Sequence, residues 1–471
     1  MSTQIFPEHP IKQRFTKSNF KKTFSEYYPL LSILIGFVIV AIFLGPYNNG
    51  DTAWEYEAAT GVLEYGLPYA NGAYLIDQPP IGFYIQALFF KIFGLSFEKG
   101  TLLVMFFGLG CIVLVHEIGR LIYNKVTGYF AALLFAFSPW HLILSRSFLI
   151  DTQCLFFSLL SLMFGIMAIR RSSFRLFVLS GIIFAVAFTT KLYAIFVLIP
   201  LAAFFFYYRI RRIWSTLKWW VAFALPVILT SLIWYIAITE QGIKSIIMHT
   251  DFYIQSPLCV ESSYFFIANF VINYGLGWFF VDAILLSLII GLVDRWLLGK
   301  FILFDMVCIT TIMVVLGIDA YLGVTLNLKA PYLNAIKYCY QALPFFALLA
   351  ASLMSKSFAL FSLAKTRKKL YKTIMLILAS VGSVLVIAAL LYNLYFTNLF
   401  STWDYIIFRV EPNVNWGYSL FNSVPISVGS LQMTVQNIGF IFALSGILWF
   451  NRGIIRRFLL KAKETHRNEH G

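Results

Sequence analysis

Residues 45–80 read GPYNNGDTAWEYEAATGVLEYGLPYANGAYLIDQPP. The stretch holds Asp51, Glu55, Glu57, Glu64 and Asp77, five of the 21 acids in a chain of 471 residues. The sequence on both sides is apolar, and the whole chain is 60% hydrophobic and only 12% charged. A soluble domain carries roughly 25% charged residues. Continuous runs of about 18 apolar residues recur along the chain, each long enough to cross a hydrocarbon core of about 30 Å. They do not alternate as the strands of a membrane β-barrel do. The chain therefore reads as an all-α polytopic membrane protein.

Two features of the opening stretch set the topology. From 51 to 65 a helix is expected, with Trp54, Ala58, Val62 and Tyr65 on one face, closed by Gly66 and Pro68. After Pro79-Pro80 comes IGFYIQALFFKIFG, an apolar segment of about 14 residues, short for a span. If it crossed, every later loop would invert and the basic loops would face outward. Lying along the interface, it leaves the charges sorted. About 12 transmembrane helices follow, with both termini cytoplasmic. The first covers about 28–45, and the next five lie near 101–118, 128–144, 152–169, 176–190 and 192–208. The rest lie near 219–238, 277–293, 302–322, 339–355, 373–395 and 435–450. Most Lys and Arg then fall inside and most acids outside, as positive-inside sorting requires. That sorting accounts for the formal charge of +15 without a nucleic-acid partner. The basic N-terminus before Tyr28–Leu44 is read as preceding an uncleaved first span, because no small-residue cleavage site follows the run.

The five cysteines are scattered, with no CxxC, and indicate neither a disulfide framework nor a zinc site. Outer basic residues are few, so each one counts. Arg146, Lys191, Lys329 and Lys337 fall at outer membrane boundaries beside the acidic loop. Such lysines also snorkel for purely physical reasons. Together they suit a site that holds an anion and needs a carboxylate. Asp151, at the end of SRSFLID, is either a partner of the helix dipole or a second carboxylate facing Asp51. Glu55, one turn from Asp51, reads with Glu57 and Glu64 as part of a solvated polar face or as loop support.

These residues, in this order, resemble a known family. Asp51 opens an outer helix with Tyr56 and Ala59. Gly66-Leu-Pro-Tyr69 and Asp77-Gln-Pro-Pro80 precede an interfacial helix ending at Phe93-Gly94, and SRSFLID with Asp151 comes after. The pattern is similar to GT-C-fold glycosyltransferases that use polyprenyl- or dolichyl-phosphate sugars, within the protein O-mannosyltransferase and aminoarabinose transferase group (family 39-like). Lys337-Tyr338 with Pro344 echoes that group's Arg-Tyr and following Pro. The spans read as a single membrane domain over 28–451, catalytic by this resemblance, between a basic segment at 1–27 and a basic tail at 452–471. Its outer loops would be 46–100, 239–275, 323–338 and 396–434. The resemblance makes Asp51 the principal catalytic carboxylate and Asp151 the second. It places Lys337, Tyr338, Lys191 and Arg146 on the donor phosphate, and Glu55, Tyr69, Asp77 and Gln78 on the acceptor or in support of the loop. Two positions depart from the pattern: Thr52 stands where Glu often follows the first acid, and Gln78 where Lys or His often precedes Pro-Pro.

The implied activity is transfer of a sugar from a polyprenyl-phosphate donor in the bilayer to an acceptor hydroxyl on the outer face. The acceptor is a protein, a glycan or a lipid, the anomeric centre inverts, and a prokaryotic cell membrane is expected rather than the ER. A divalent cation held by two or three carboxylates is left open, since no Asp-x-Asp occurs in the outer loops. The competing class is a transporter or flippase of a lipid-linked sugar. Such proteins place polar groups near the midplane in repeated halves, whereas here they gather on one face.

Overall fold

Helix ends in this chain are set by a few polar and glycine residues between long apolar runs. The computed structural model describes residues 17–47, 50–74, 78–209, 213–237, 303–325, 337, 339–362, 426–428 and 431–433. Helix α1 (Lys17–Leu44) stops at Gly45, and α2 (Gly50–Tyr65) stops at Gly66, both glycines with positive φ. A small antiparallel hairpin follows, β1 (Tyr69–Ala70) with β2 (Ala73–Tyr74). Asn71 and Gly72 turn it in the left-handed region. Helix α3 (Ile81–Phe93) starts after Pro80 and ends at Gly94. Helix α4 (Phe97–Ile122) is capped by Ser96, whose hydroxyl accepts from Lys99 N, and α5 (Lys125–Ala136) by Asn124, whose side chain accepts from Thr127 N at 2.9 Å.

A single helix was expected over 128–144. Instead α5 ends at Ala136 and a short α6 (Pro139–Leu144) follows. The break comes from Pro139, which donates no N–H and holds Ser138 in an extended conformation. Helices α7 (Asp151–Arg171) and α8 (Phe174–Thr190) form a tight antiparallel pair. Arg170 and Arg171 in the last turn of α7 complement its dipole. The expected helix at 192–208 begins as a 3₁₀ turn (Leu192–Val197) before α9 (Leu198–Arg209). Helix α10 (Ile213–Ala237) packs on α8. Helix α11 (Leu303–Thr325) packs on α9 and α12 (Leu343–Ser362), and α12 is entered through a 3₁₀ turn at Tyr340–Ala342. A second hairpin pairs β3 (Ile426–Val428) with β4 (Leu431–Met433).

The chain is a mostly helical membrane protein. Among the described residues four helices are long and apolar enough to cross: Tyr27–Leu44, Phe97–Ile122, Asp151–Arg171 and Leu217–Trp234. Shorter apolar helices lie beside them. The spans expected near 277–293, 373–395 and 435–450 lie outside the described residues, so the count of twelve is not reached here. The 13 residues of α3 rise about 20 Å, less than the bilayer core. Gly82, Phe83, Gln86, Ala87 and Phe90 of α3 face the protein, while Leu88, Ile92 and Phe93 are exposed. That division suits a helix lying against the bundle under α2.

Small residues bring the helices close. A Cβ on Gly128 of α5 would stand 2.6 Å from the His116 carbonyl oxygen, and one on Gly119 of α4 would stand 2.9 Å from Gly128 Cα. Backbone leaves no room to yield there. Gly128→Ala should therefore cost about 1–3 kcal/mol of stability, read as a lowered unfolding midpoint of the detergent-purified protein. An unchanged midpoint would mean that α4 and α5 do not meet in this way.

Candidate active site

Four helix ends and one loop converge at a single end of the bundle. Because α7 and α8 are antiparallel, the start of α7 lies beside the end of α8. Asp151 is the first residue of α7 and Lys191 caps α8. Lys191 Nζ donates to both Asp151 oxygens, at 2.9 and 2.8 Å. Both side chains are buried. Lys191 takes an extended conformation (φ −159°, ψ 137°) that ends α8 and begins the 3₁₀ turn. Cys154 on the next turn of α7 donates to the Lys191 carbonyl at 3.6 Å, and Gln341 from the entry to α12 reaches the Cys154 sulfur at 3.6 Å.

Helix α2 lies over this pair. Asp51 stands in its first turn, where a carboxylate is favoured by the helix dipole. Lys337, ahead of α12 and 286 positions away in sequence, donates to Asp51 Oδ2 at 2.7 Å. The lysine is 10% exposed and the aspartate 47%, so the aspartate has an open side. One turn further along α2, Glu55 is 2% exposed and accepts the Ile150 N–H at 2.7 Å. Burial pushes the Glu55 carboxyl up to about 8 and Asp151 pushes it the same way, against the opposing pull of Lys191, Lys337 and the Ile150 N–H.

The structure thus joins Asp51 with Lys337 and Asp151 with Lys191, and sets Glu55 among them. It corrects the reading of Glu55 as part of a solvated face. The signal was present in the sequence: Thr52, Glu55, Ala58, Ala59 and Val62 form one buried stripe of α2, and Glu55 sits on it at helical spacing. Glu57 and Glu64 do lie outside that stripe, and Glu57 fastens the hairpin by accepting from Asn71 N at 3.1 Å. Arg146, expected on a phosphate, is buried with Nε on the Leu142 carbonyl (2.8 Å) and Nη1 on the Gly45 carbonyl (2.6 Å). It ties the end of α1 to the segment after α6, as does the bond from Tyr47 N to the Arg146 carbonyl at 2.9 Å. Tyr69 supports the hairpin, its ring 4.6 Å from that of Tyr65 and 5.1 Å from that of Tyr74. Gln78 is half-buried, and its side-chain oxygen has no partner among the described residues. Asp77 and Tyr338 lie outside the described residues. No group of three or more His, Cys, Asp and Glu suited to a metal occurs among the described residues.

Residues 77–234, about a third of the chain, match the family model described as dolichyl-phosphate-mannose-protein mannosyltransferase. The Bacillus subtilis (strain 168) protein named "Putative mannosyltransferase YkcB" is 25% identical over 188 residues, which are 38% of this chain and 26% of that protein. The chain thus spans about a quarter of that relative's length. Among solved structures, apo ArnT from Cupriavidus metallidurans superposes with a TM-score of 0.53 at 13% identity, over 91% of this chain and 77% of that one. The same protein bound to undecaprenyl phosphate gives 0.52 at 13% identity, over 93% and 78%.

The Asp151–Lys191 pair is buried, so removing one partner strands a charge. Asp151→Asn and Lys191→Met should each destabilise the protein by about 3–5 kcal/mol, and the double variant by less than their sum. Denaturant unfolding in detergent reads this; additive losses would rule out the pairing. Glu55 sets a pH dependence of its own. Folding raises its carboxyl from 4.5 to about 8, so the folded state binds more protons across that window. Its contribution to stability is full below pH 4.5, declines as pH rises, and is lost above about 8. Glu55→Gln should flatten that decline, which unfolding midpoints across the window would show. An equally steep decline in the variant would assign the dependence elsewhere. The helical bundle, with α2 and α3 packed against it, gives this membrane protein the fold seen in ArnT.

Proposed function

We propose that the protein transfers a sugar from a polyprenyl-phosphate donor to an acceptor hydroxyl on the outer face of the membrane. The observation that carries this reading is the meeting of two carboxylates and two lysines at one end of the bundle, with Asp51 half open to solvent. The mannosyltransferase description of the matching family and the undecaprenyl phosphate in the ArnT complex support it. The two lysine–carboxylate pairs gather where helices begin and end rather than in mid-helix, which favours an enzyme over a transporter.

In this mechanism the acceptor oxygen attacks the anomeric carbon and passes its proton to Asp51. The bond from that carbon to the phosphate oxygen breaks, and the electron pair leaves with polyprenyl phosphate. One displacement inverts the anomeric centre. Lys337 and Lys191 balance the charge on the departing phosphate. Tyr338 sits beside Lys337 in the chain and is assigned to the same donor subsite. Asp151 holds Lys191 in place and is the second acid of the site. Asp77 and Gln78, in the loop before α3, are assigned to its support. Arg146, its guanidinium engaged with backbone carbonyls, serves the framework. The acceptor is a protein hydroxyl, a glycan or a lipid headgroup. The donor is drawn from the bilayer of a prokaryotic cell membrane, and both termini are assigned to the cytoplasm.

The Asp51–Lys337 bridge has to open for this chemistry. While it is closed, Asp51 Oδ2 accepts from the Lys337 ammonium, and that donor is not offered to a phosphate. The incoming phosphate is the group suited to displace Asp51 from Lys337, which leaves the carboxylate ready to accept a proton. Purified protein in detergent, given a polyprenyl-phosphate sugar and separated protein, glycan and lipid acceptors, tests the reading without a sealed membrane. Asp51→Asn should lower transfer by about 10²- to 10⁴-fold, yet bind polyprenyl phosphate at least as tightly as the wild type. Lys337→Gln should weaken that binding. Near-normal transfer by Asp51→Asn would refute its role as the base.

A further inference from the structure

The fold leaves one problem that apolar packing does not solve. Asp51 rides on α2, whereas Asp151 begins α7, and the two must hold one geometry within about an ångström for shared chemistry. Between them stands Ile150. Its side chain is buried in a cluster with Ala58 and Val62 of α2 and Phe83 and Ala87 of α3. A Cβ on Gly82 would meet that side chain at 2.8 Å, so α3 closes directly on it. Such contacts are non-directional and do not by themselves fix the register of α2 over the start of α7.

The Ile150 N–H supplies direction. Ile150 is the N-cap of α7 and has no side-chain cap of its own. Its amide instead meets the Glu55 carboxyl at 2.7 Å, from a helix 95 positions earlier. Glu55 lies one turn from Asp51 on the same helix, and Ile150 immediately precedes Asp151. We propose that Glu55 is the positioning residue of this site, its buried carboxyl holding the helix that carries Asp51 in register with the turn that presents Asp151. The charged groups facing it are Lys191, Asp151 and Lys337, drawn from three different segments. Glu55 is buried, whereas Asp51 one turn away is half open, so the role assigned to Glu55 is to position and not to transfer a proton to substrate.

The proposal rests on the transferase reading for its activity arm and is independent of it in a second arm. An amide oxygen can accept the Ile150 N–H as a carboxyl does, whereas alanine cannot. In the full-length purified protein, Glu55→Gln should keep kcat within about threefold, while Glu55→Ala should lower it by about 10- to 100-fold with donor KM little changed. Hydrogen exchange at the Ile150 amide is the second arm. It should stay slow in wild type and Glu55→Gln and quicken in Glu55→Ala. Glu55→Asp, one methylene too short to reach, should behave as the alanine variant and serves in its place if that variant does not fold. If Glu55→Gln loses as much activity as Glu55→Ala, the carboxyl acts chemically and the positioning role is wrong. Unchanged Ile150 exchange in Glu55→Ala overturns it as well. Absence of transfer by the wild type would refute the transferase reading alone, and the exchange comparison would still decide the role of Glu55.

Discussion

A charge buried inside a membrane protein must find a partner of opposite sign, and the end of the bundle where α7 begins is arranged around that demand. Lys191 sits between both oxygens of Asp151 where α7 begins and α8 ends. Desolvating either ion alone costs several kcal/mol, so the pair specifies how the two helices meet. The extended backbone at Lys191 follows: α8 has to stop there for the ammonium to turn back onto Asp151, and the 3₁₀ turn takes up the change in direction. Cys154 and Gln341 then attach the entry of α12 to the same corner. That entry is what brings Lys337 to Asp51.

The lid over this corner is held differently. Helix α2 buries Ala58 and Val62 against Phe83, Ala87 and Ile150, while Ala59 packs with Phe90, Val104 and Phe148. Tyr56 lies edge-on to Phe90 and Phe148, with ring centroids 5.4 and 5.7 Å away. These contacts supply most of the attraction between lid and bundle. Direction comes from hydrogen bonds at a few points: Glu55 on Ile150, Arg146 on Gly45, and Tyr84 on the Gly66 carbonyl at 2.6 Å. The result combines a rigid, fully paired inner ion pair with an outer pair whose aspartate is half open. For the transfer proposed above, which requires a lipid phosphate to be held and released, that difference is useful, since the outer pair is the more open to exchange of partners.

Some of this was legible residue by residue. Asp51, Asp151, Lys191 and Lys337 stood out because charges are rare in so apolar a chain and fell on one face once α3 was read as interfacial. Glu55 was misread although its stripe was visible, because a carboxylate beside alanines on an outer helix is ordinarily solvated. Only the covering turn at Ile150 makes it buried. Arg146 shows the converse: a basic residue at a membrane boundary suits a phosphate, and nothing local reveals that the Leu142 and Gly45 carbonyls face it. The expected helix at 128–144 ran through Pro139, whose missing N–H divides it.

The amino-acid sequence by itself determined the membrane class and most of the helical segments among the described residues. Each follows from local quantities: run length against bilayer thickness, helix-ending Gly and Pro, and the cost of a charge in hydrocarbon. Which acid meets which lysine was decided only by tertiary structure. Asp51 and Lys337 are 286 positions apart, Glu55 and Ile150 are 95 apart, and Asp151 and Lys191 are 40 apart. No periodicity links residues at such separations. Pairing across them depends on how the glycine-lined helices approach and on where α7 and α8 end, and those are properties of the packed bundle.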